Sequence, residues 1–205
     1  MRELYFGGSF NPIHNGHLAT ASAVAAAGGF DGVVLVPAFV SPHKTSFSDS
    51  TSPADRLAMC EIAAKSAAAL GRFRVDDIEF HLPKPSYTLE TVRALKARGV
   101  RSVSWLIGAD QVASFPRWHA AQALLREATI VVMARPGYAL DFDALPAPFY
   151  RLRDNVIVVA QVDVSSTEIR RRARLGLSIA EFVPEGVAEY IYSHRLYGSG
   201  GSAAE

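Results

Sequence analysis

The sequence predicts an α/β fold, a Rossmann-like doubly wound parallel sheet in a single domain. Three observations carry that expectation. Short apolar runs alternate with longer helical stretches along the chain. The runs are apolar on both faces, as parallel strands covered by helices on each side must be. The first run ends at Gly7-Gly8 and is followed at once by a helix start, and the carboxyl ends of strands are where such sheets receive ligands.

The elements follow in order. Leu4–Gly7 reads as a buried strand, and Pro12 is expected to keep the chain extended before an alanine-rich helix near Gly16–Ala27. Val33–Pro37 is the second strand, and Ser41–Ser52 a polar loop. The apolar run around Met59 and Cys60 lies in a helix over Pro53–Leu70. Phe73–Ile78 is the third strand. The next helix, Thr88–Arg98, is capped by Ser86 or Thr88, with Glu90 placed to favour its dipole. Val103–Gly108 is a strand running into a turn that ends in Asp110, and Ala120–Arg126 is a short helix. Thr129–Ala134 is a strand closed by the turn Arg135-Pro136-Gly137. Gly137–Asn155 is a longer loop that could carry substrate contacts or a lid. After the strand Val156–Gln161, Ser165 and Glu168 form a capping-box pattern that opens a helix over Ser166–Leu175. An amphipathic helix near Pro184–His194 closes the domain, expected over 1–197, and 198–205 is small and flexible in composition.

Composition sets bounds. At 205 residues, 49% of them hydrophobic, the chain can build one sizeable core and hardly two. A formal net charge of +1 supplies no global field to recruit nucleic acid or a membrane. The single cysteine excludes a disulfide framework within the chain, which suits a reducing cytoplasm, and its apolar setting marks it as a core residue. No signal peptide and no membrane span is expected. There is no GxxxxGK[ST] and no GxGxxG, so phosphate must be bound by other means. Association with further copies of the chain is left open.

Those means stand at the two ends of the chain. His14 and His17 are three apart at a helix entrance and face the same way, beside a glycine turn and exposed helix N–H groups. Capping or packing, and zinc binding, are the competing readings; the second lacks a nearby cysteine or acid to complete a tetrahedral set. At the other end, Ser165, Ser166 and Thr167 give three successive hydroxyls at a helix start, where one cap needs only one, and Arg170 follows a turn later. That is a fitting pocket for triphosphate oxygens. Between them, Lys44, Asp110, Trp118 and Arg135 all fall at expected strand carboxyl ends or in the loops that follow. Trp118 either stacks on a flat ring or packs against the next helix, and Arg135 is either a phosphate contact or a surface charge.

Gly7 to Leu18 resembles the HxGH signature of the nucleotidylyltransferase superfamily, and the nicotinate-nucleotide adenylyltransferases within it. Pro42-His43-Lys44, Ser86-Tyr87-Thr88, the spacing from Gly108-Ala109-Asp110 to Trp118, and Val164 to Arg170 are similar to the same family. Glu90 departs from it, since an aspartate is usual there. The resemblance implies transfer of the adenylyl group of ATP to nicotinate mononucleotide, with Mg2+ carried on ATP. It implies catalytic roles for His14, His17, Lys44 and Arg170. ATP would be held by Gly7, Gly8, Ser9, Phe10, His14, Gly16, His17, Gly108, Asp110, Ser165, Ser166, Thr167 and Arg170. The mononucleotide would be held by Ser9, Lys44, Tyr87, Thr88, Trp118 and Arg135. Such a transfer needs no general base, because the attacking phosphate is already anionic. Pantetheine-phosphate adenylyltransferase and a non-catalytic nucleotide-binding module are the alternatives.

Overall fold

The computed structural model describes residues 1–40, 51–160 and 162–198. In chain order its elements are β1 (Glu3–Gly8), α1 (Asn15–Ala27), β2 (Gly32–Pro37), α2 (Pro53–Ser66), β3 (Phe73–Val75), α3 (Thr88–Ala97), β4 (Ser104–Gly108), α4 (Ala121–Glu127), β5 (Thr129–Ala134), β6 (Val156–Val158), α5 (Ser166–Arg174) and α6 (Glu185–Ser193). The strands form one sheet in the order β3-β2-β1-β4-β5-β6, with every neighbouring pair parallel.

Successive side chains of a strand point to opposite faces, so each strand feeds two cores. Leu4 and Phe6 of β1 pack on one side with Leu18 of α1, Met59 of α2, Ile169 of α5 and Ile191 of α6. Tyr5, between them, faces Leu89 and Val92 of α3, Val112 of the 3₁₀ segment Ala109–Arg117 and Leu124 of α4 on the other side. Strands buried on both faces account for their unbroken apolar sequence. The order also fixes the crevice: the chain leaves β1 towards β2 and β3, then returns to lay β4 on β1's other side. The carboxyl ends of β1 and β4 therefore flank the point where the winding reverses.

Several expected boundaries shift. β3 stops at Val75, because Asp76 Oδ1 accepts from the Ile78 N–H at 3.1 Å and turns the backbone into a 3₁₀ turn over Ile78–His81. β6 ends at Val158, since its partner β5 ends at Ala134 just before Arg135-Pro136. α2 gives way to a 3₁₀ turn at Ala67–Leu70. Pro12 lies in a turn rather than in extended chain; the Arg170 guanidinium and Ser166 hydroxyl donate to the Asn11 and Pro12 carbonyls and hold it there. The long loop before β6 ends in a 3₁₀ helix over Phe149–Asn155, and Phe149 and Leu152 bury in the second core. At α5 half of the capping box forms: Ser165 Oγ accepts from the Glu168 N–H, while the Glu168 carboxylate pairs with Arg171. The complete box is at α2, where Ser52 and Asp55 cap each other. Cys60 is fully buried, and burial pushes its thiol up, as a core residue requires. Among the described residues no helix is long and apolar enough to cross a membrane. The tail from residue 199 onward lies outside the described residues.

Gly7 is a packing requirement of this sheet. A Cβ there would meet the buried Trp105 ring at 2.2 Å. Gly7→Ala is expected to destabilise the protein by about 1–3 kcal/mol as that ring is displaced. The corresponding fall in Tm, read by calorimetry, is about 2–4 °C per kcal/mol for a domain of this size.

Candidate active site

The chain leaves β1 through Gly8-Ser9-Phe10. A Cβ on Gly8 would press on the Phe10 ring at 3.0 Å, so this glycine makes room for the tight reversal that Phe10 completes at φ 43°. The Phe10 side chain goes inward, edge-on to Phe6 and to His17, and is 3% exposed. Of the sequence-predicted ATP contacts, Phe10 therefore turns its side chain into the core. Ser9 is held from behind: the Arg56 guanidinium donates to the Ser9 carbonyl at 2.8 Å and to the Phe39 carbonyl at 2.9 Å. Arg56 is buried and escaped the sequence reading.

His14 is the N-cap of α1. Its Nδ1 accepts from the His17 N–H at 3.3 Å, and the two rings stack with centroids 3.6 Å apart. An Nδ1 that accepts must carry no proton, so the proton of the neutral His14 ring sits on Nε2. Burial lowers His14 to about 4, and it lowers His17 well below its ordinary value, with the neighbouring His14 adding to the effect. Both imidazoles are neutral donors at neutral pH. Gly16 is small for the same cause: a Cβ would stand 3.1 Å from His14 Nδ1 and from the Val162 carbonyl. His17 Nδ1 is buried with no hydrogen-bond partner among the described residues.

The second helix start reaches the same place. Arg170 of α5 donates to the Asn11 carbonyl at 2.8 Å and to Thr167 Oγ1 at 3.3 Å, and Ser166 Oγ donates to the Pro12 carbonyl at 2.9 Å. The Asn11 side chain is gripped as well, its Oδ1 accepting from Tyr197 at 2.7 Å and from Thr51 at 3.0 Å. Residues from both ends of the chain thus fix one turn, and α1 and α5 bring their N-termini to it.

Beside that turn a pocket is lined by Gly7, Gly8, Ser9, Ala38, Glu79, Ser86, Thr88, Trp105, Gln111 and Trp118, among others. Trp118 lines the pocket and rests on Phe115 of the 3₁₀ segment after β4, the ring centroids 5.1 Å apart. Thr88 opens α3 at the pocket wall, and Tyr87, just before it, stacks on His119 at 4.1 Å. Ser86 ties the helix entrance to β2's loop, its N–H donating to the Val40 carbonyl at 2.9 Å. Asp110 is exposed in the first turn after β4, and a Cβ on Gly108 would strike its carboxylate. Arg135 is at the end of β5 but exposed, its guanidinium 5.5 Å from the Tyr138 ring centroid. Lys44 lies outside the described residues. Among those residues no group of three His, Cys, Asp or Glu is arranged to hold a metal ion.

Two helix N-termini, neutral imidazole donors and an arginine meet at the reversal point of a parallel sheet, an arrangement with the chemistry to bind phosphate of the kind nucleotidyl-transferring enzymes handle. The cytidylyltransferase-like family model matches residues 5–172. The chain is 38% identical over 193 residues to a probable nicotinate-nucleotide adenylyltransferase of Roseiflexus sp., covering 93% of this chain and 95% of the relative. It is 40% identical over 203 residues to the one of Rubrobacter xylanophilus, covering 96% and 92%. The chain belongs to the cytidylyltransferase-like family and, within it, to the nicotinate-nucleotide adenylyltransferases. The nicotinic acid mononucleotide adenylyltransferase of Plasmodium falciparum, complexed with NaAD, shares the fold with a TM-score of 0.75 at 16% identity, over 97% of this chain and 98% of that one.

The depressed histidines make stability depend on pH in a defined window. The unfolded chain binds a proton at His14 near 6.5 and the folded one only near 4. The neutral-histidine contribution is therefore complete above about 6.5 and is lost as pH falls towards about 4. For His14 alone that gap corresponds to about 3 kcal/mol. His14→Asn keeps an N-cap acceptor and removes the titration, so its urea-unfolding free energy is expected to fall less than the parent's across this window.

Proposed function

We propose that this protein transfers the adenylyl group of ATP to nicotinate mononucleotide, forming nicotinate adenine dinucleotide and pyrophosphate. The observation that carries this reading is the joining of the α1 and α5 N-termini at the Asn11–Pro12 turn, next to a pocket with an aromatic wall. The relatives named nicotinate-nucleotide adenylyltransferase support the choice of substrate.

The mononucleotide phosphate attacks the α-phosphorus of ATP; the bond to the β-phosphate oxygen breaks and pyrophosphate leaves. The nucleophile is already anionic, so the protein's task is alignment and stabilisation of charge. Neutral His14 and His17 donate N–H bonds to oxygens at the α-phosphate as charge moves towards the leaving group. Arg170, fixed by the Asn11 carbonyl and Thr167, meets the β- and γ-phosphates with the amides of Ser166 and Thr167, and Lys44 adds a point cation. Trp118 and the α3 entrance at Tyr87-Thr88 receive the pyridine ring and its carboxylate. A divalent metal is usual in this enzyme class. Here magnesium would arrive on the triphosphate, since the described residues supply no three-ligand set for it.

Pyrophosphate release with magnesium-ATP is expected with nicotinate mononucleotide and not with phosphopantetheine; the reverse result would assign the pantetheine-phosphate reaction instead. Loss of one such donor costs about 10²–10³ in turnover, so His17→Ala is expected to lower kcat by that factor while the protein remains folded by calorimetry. Undiminished kcat in a folded His17→Ala protein would overturn the mechanism.

A further inference from the structure

The pyridine pocket has an acid in its wall that the reaction as described does not use. Glu79 sits in the 3₁₀ turn after β3 and is 4% exposed. Thr91 Oγ1, one turn into α3, donates to its Oε1 at 2.8 Å. Its Oε2 is buried with no hydrogen-bond partner among the described residues. The same residue lines the pocket together with Ser86, Thr88 and Trp118. A buried carboxyl with one oxygen satisfied and the other bare is unfavourable as an anion and awaits a partner.

Burial raises the Glu79 carboxyl above its ordinary range; the bond from Thr91, the nearby polar groups of Ser86 and the Phe39 backbone, and the field of Arg56 offset part of this. The other charges nearby are engaged with each other or lie farther along their elements. On its own turn Asp77 and His81 pair at 3.1 Å. On α3 Glu90 pairs with Arg93, and Lys96 is in the last turn. β2, which also packs against the turn, carries no charged side chain. When Glu79 is protonated, Thr91 occupies Oε1 as a donor, so the proton resides on Oε2, which is then an O–H donor.

We propose that Glu79 is a specificity-determining residue of the pyridine subsite, its Oε2–H donating, directly or through one water, to the carboxylate of the pyridine ring. This rests on the adenylyl-transfer reading above. A carboxylate accepts only, so it matches a donor; a carboxamide turned towards the same group would gain less. Once Glu79 ionises, two anions face each other at low dielectric and the advantage reverses. The unaltered enzyme should therefore prefer nicotinate over nicotinamide mononucleotide most strongly at low pH and lose the preference as pH rises.

The test compares kcat/KM for nicotinate and nicotinamide mononucleotides, with magnesium-ATP saturating, from about pH 5 to about 8.5, the span open to raised carboxyls. Taking the ratio cancels the ionisation of the phosphate that both substrates carry. In the unaltered enzyme the ratio is expected to fall by up to about tenfold per pH unit above the Glu79 transition. In Glu79→Gln the amide oxygen still accepts from Thr91 and its N–H replaces the O–H, so the ratio should be flat. A flat ratio in the unaltered enzyme, or a Glu79→Gln ratio that falls in parallel with it, overturns the proposal. So does a Glu79→Gln protein that weakens ATP and both mononucleotides alike at every pH, which a purely structural role predicts. Silence of the unaltered enzyme with both mononucleotides overturns the reaction itself and this inference with it, a result distinct from the others.

Discussion

The site depends on the clasp between α5 and the turn at Asn11–Pro12. Arg170 and Ser166 reach carbonyls that precede them by 159 and 154 residues. Hydrogen bonds from a charged group to a carbonyl contribute about 1.5–3 kcal/mol each, more than enough to select one conformation of a short loop. The clasp does more than hold the loop still. It brings the N-termini of α1 and α5 into one crevice, so two positive dipole ends act on one volume. Tyr197 and Thr51 complete the grip on Asn11, which joins the last helical segment to the first turn.

That arrangement explains why the histidines are neutral. An imidazolium buried beside a helix N-terminus would suffer desolvation and repulsion from the dipole together, and His14 and His17 would repel each other at a ring separation of 3.6 Å. Positive charge beside the crevice comes from arginines: Arg170 against the Asn11–Pro12 turn and Arg56 behind Ser9. The imidazoles contribute directed N–H donors at little electrostatic cost. A polyanion arriving in the crevice would then be met by dipoles already in place, which is the condition under which such groups act most strongly on a developing charge.

Much of this was legible in the sequence because it is local. Strand–helix alternation, the cap at Ser165 and the facing pair His14 and His17 each follow from a few neighbouring residues. Glu168 was half legible: its N–H takes the cap, but Arg171, three residues on, attracts its carboxylate more strongly than a backbone amide does. Arg56 could have been found, since with Met59, Cys60 and Ala63 it occupies the i, i+3, i+4, i+7 face that α2 buries. Glu79 and the grip of Tyr197 on Asn11 could not. Their roles come from contacts between segments, and an acid between Ile78 and Phe80 carries no mark that its carboxyl is turned inward.

The distribution of polar burial shows where the fold accepts instability. Asn11, His14, Arg56, Glu79, Ser86 and Thr91 are all buried, and they cluster at the carboxyl edge around β1, the turn after β3 and the α3 entrance. Most have partners, which keeps their burial nearly neutral. Among the described residues, three side-chain atoms are buried and unpartnered: His17 Nδ1, Glu79 Oε2 and Arg170 Nε. Each lost partner costs about 1–3 kcal/mol, so three in one region is a large local concession for a domain of ordinary stability. They are also chemically complementary to what the site is proposed to hold. A guanidinium N–H, an imidazole edge and a carboxylic acid are groups that phosphates and a pyridine carboxylate can satisfy. The fold thus concentrates its unsatisfied polar atoms in the region where α1, α5 and the turn after β3 bring their polar groups together.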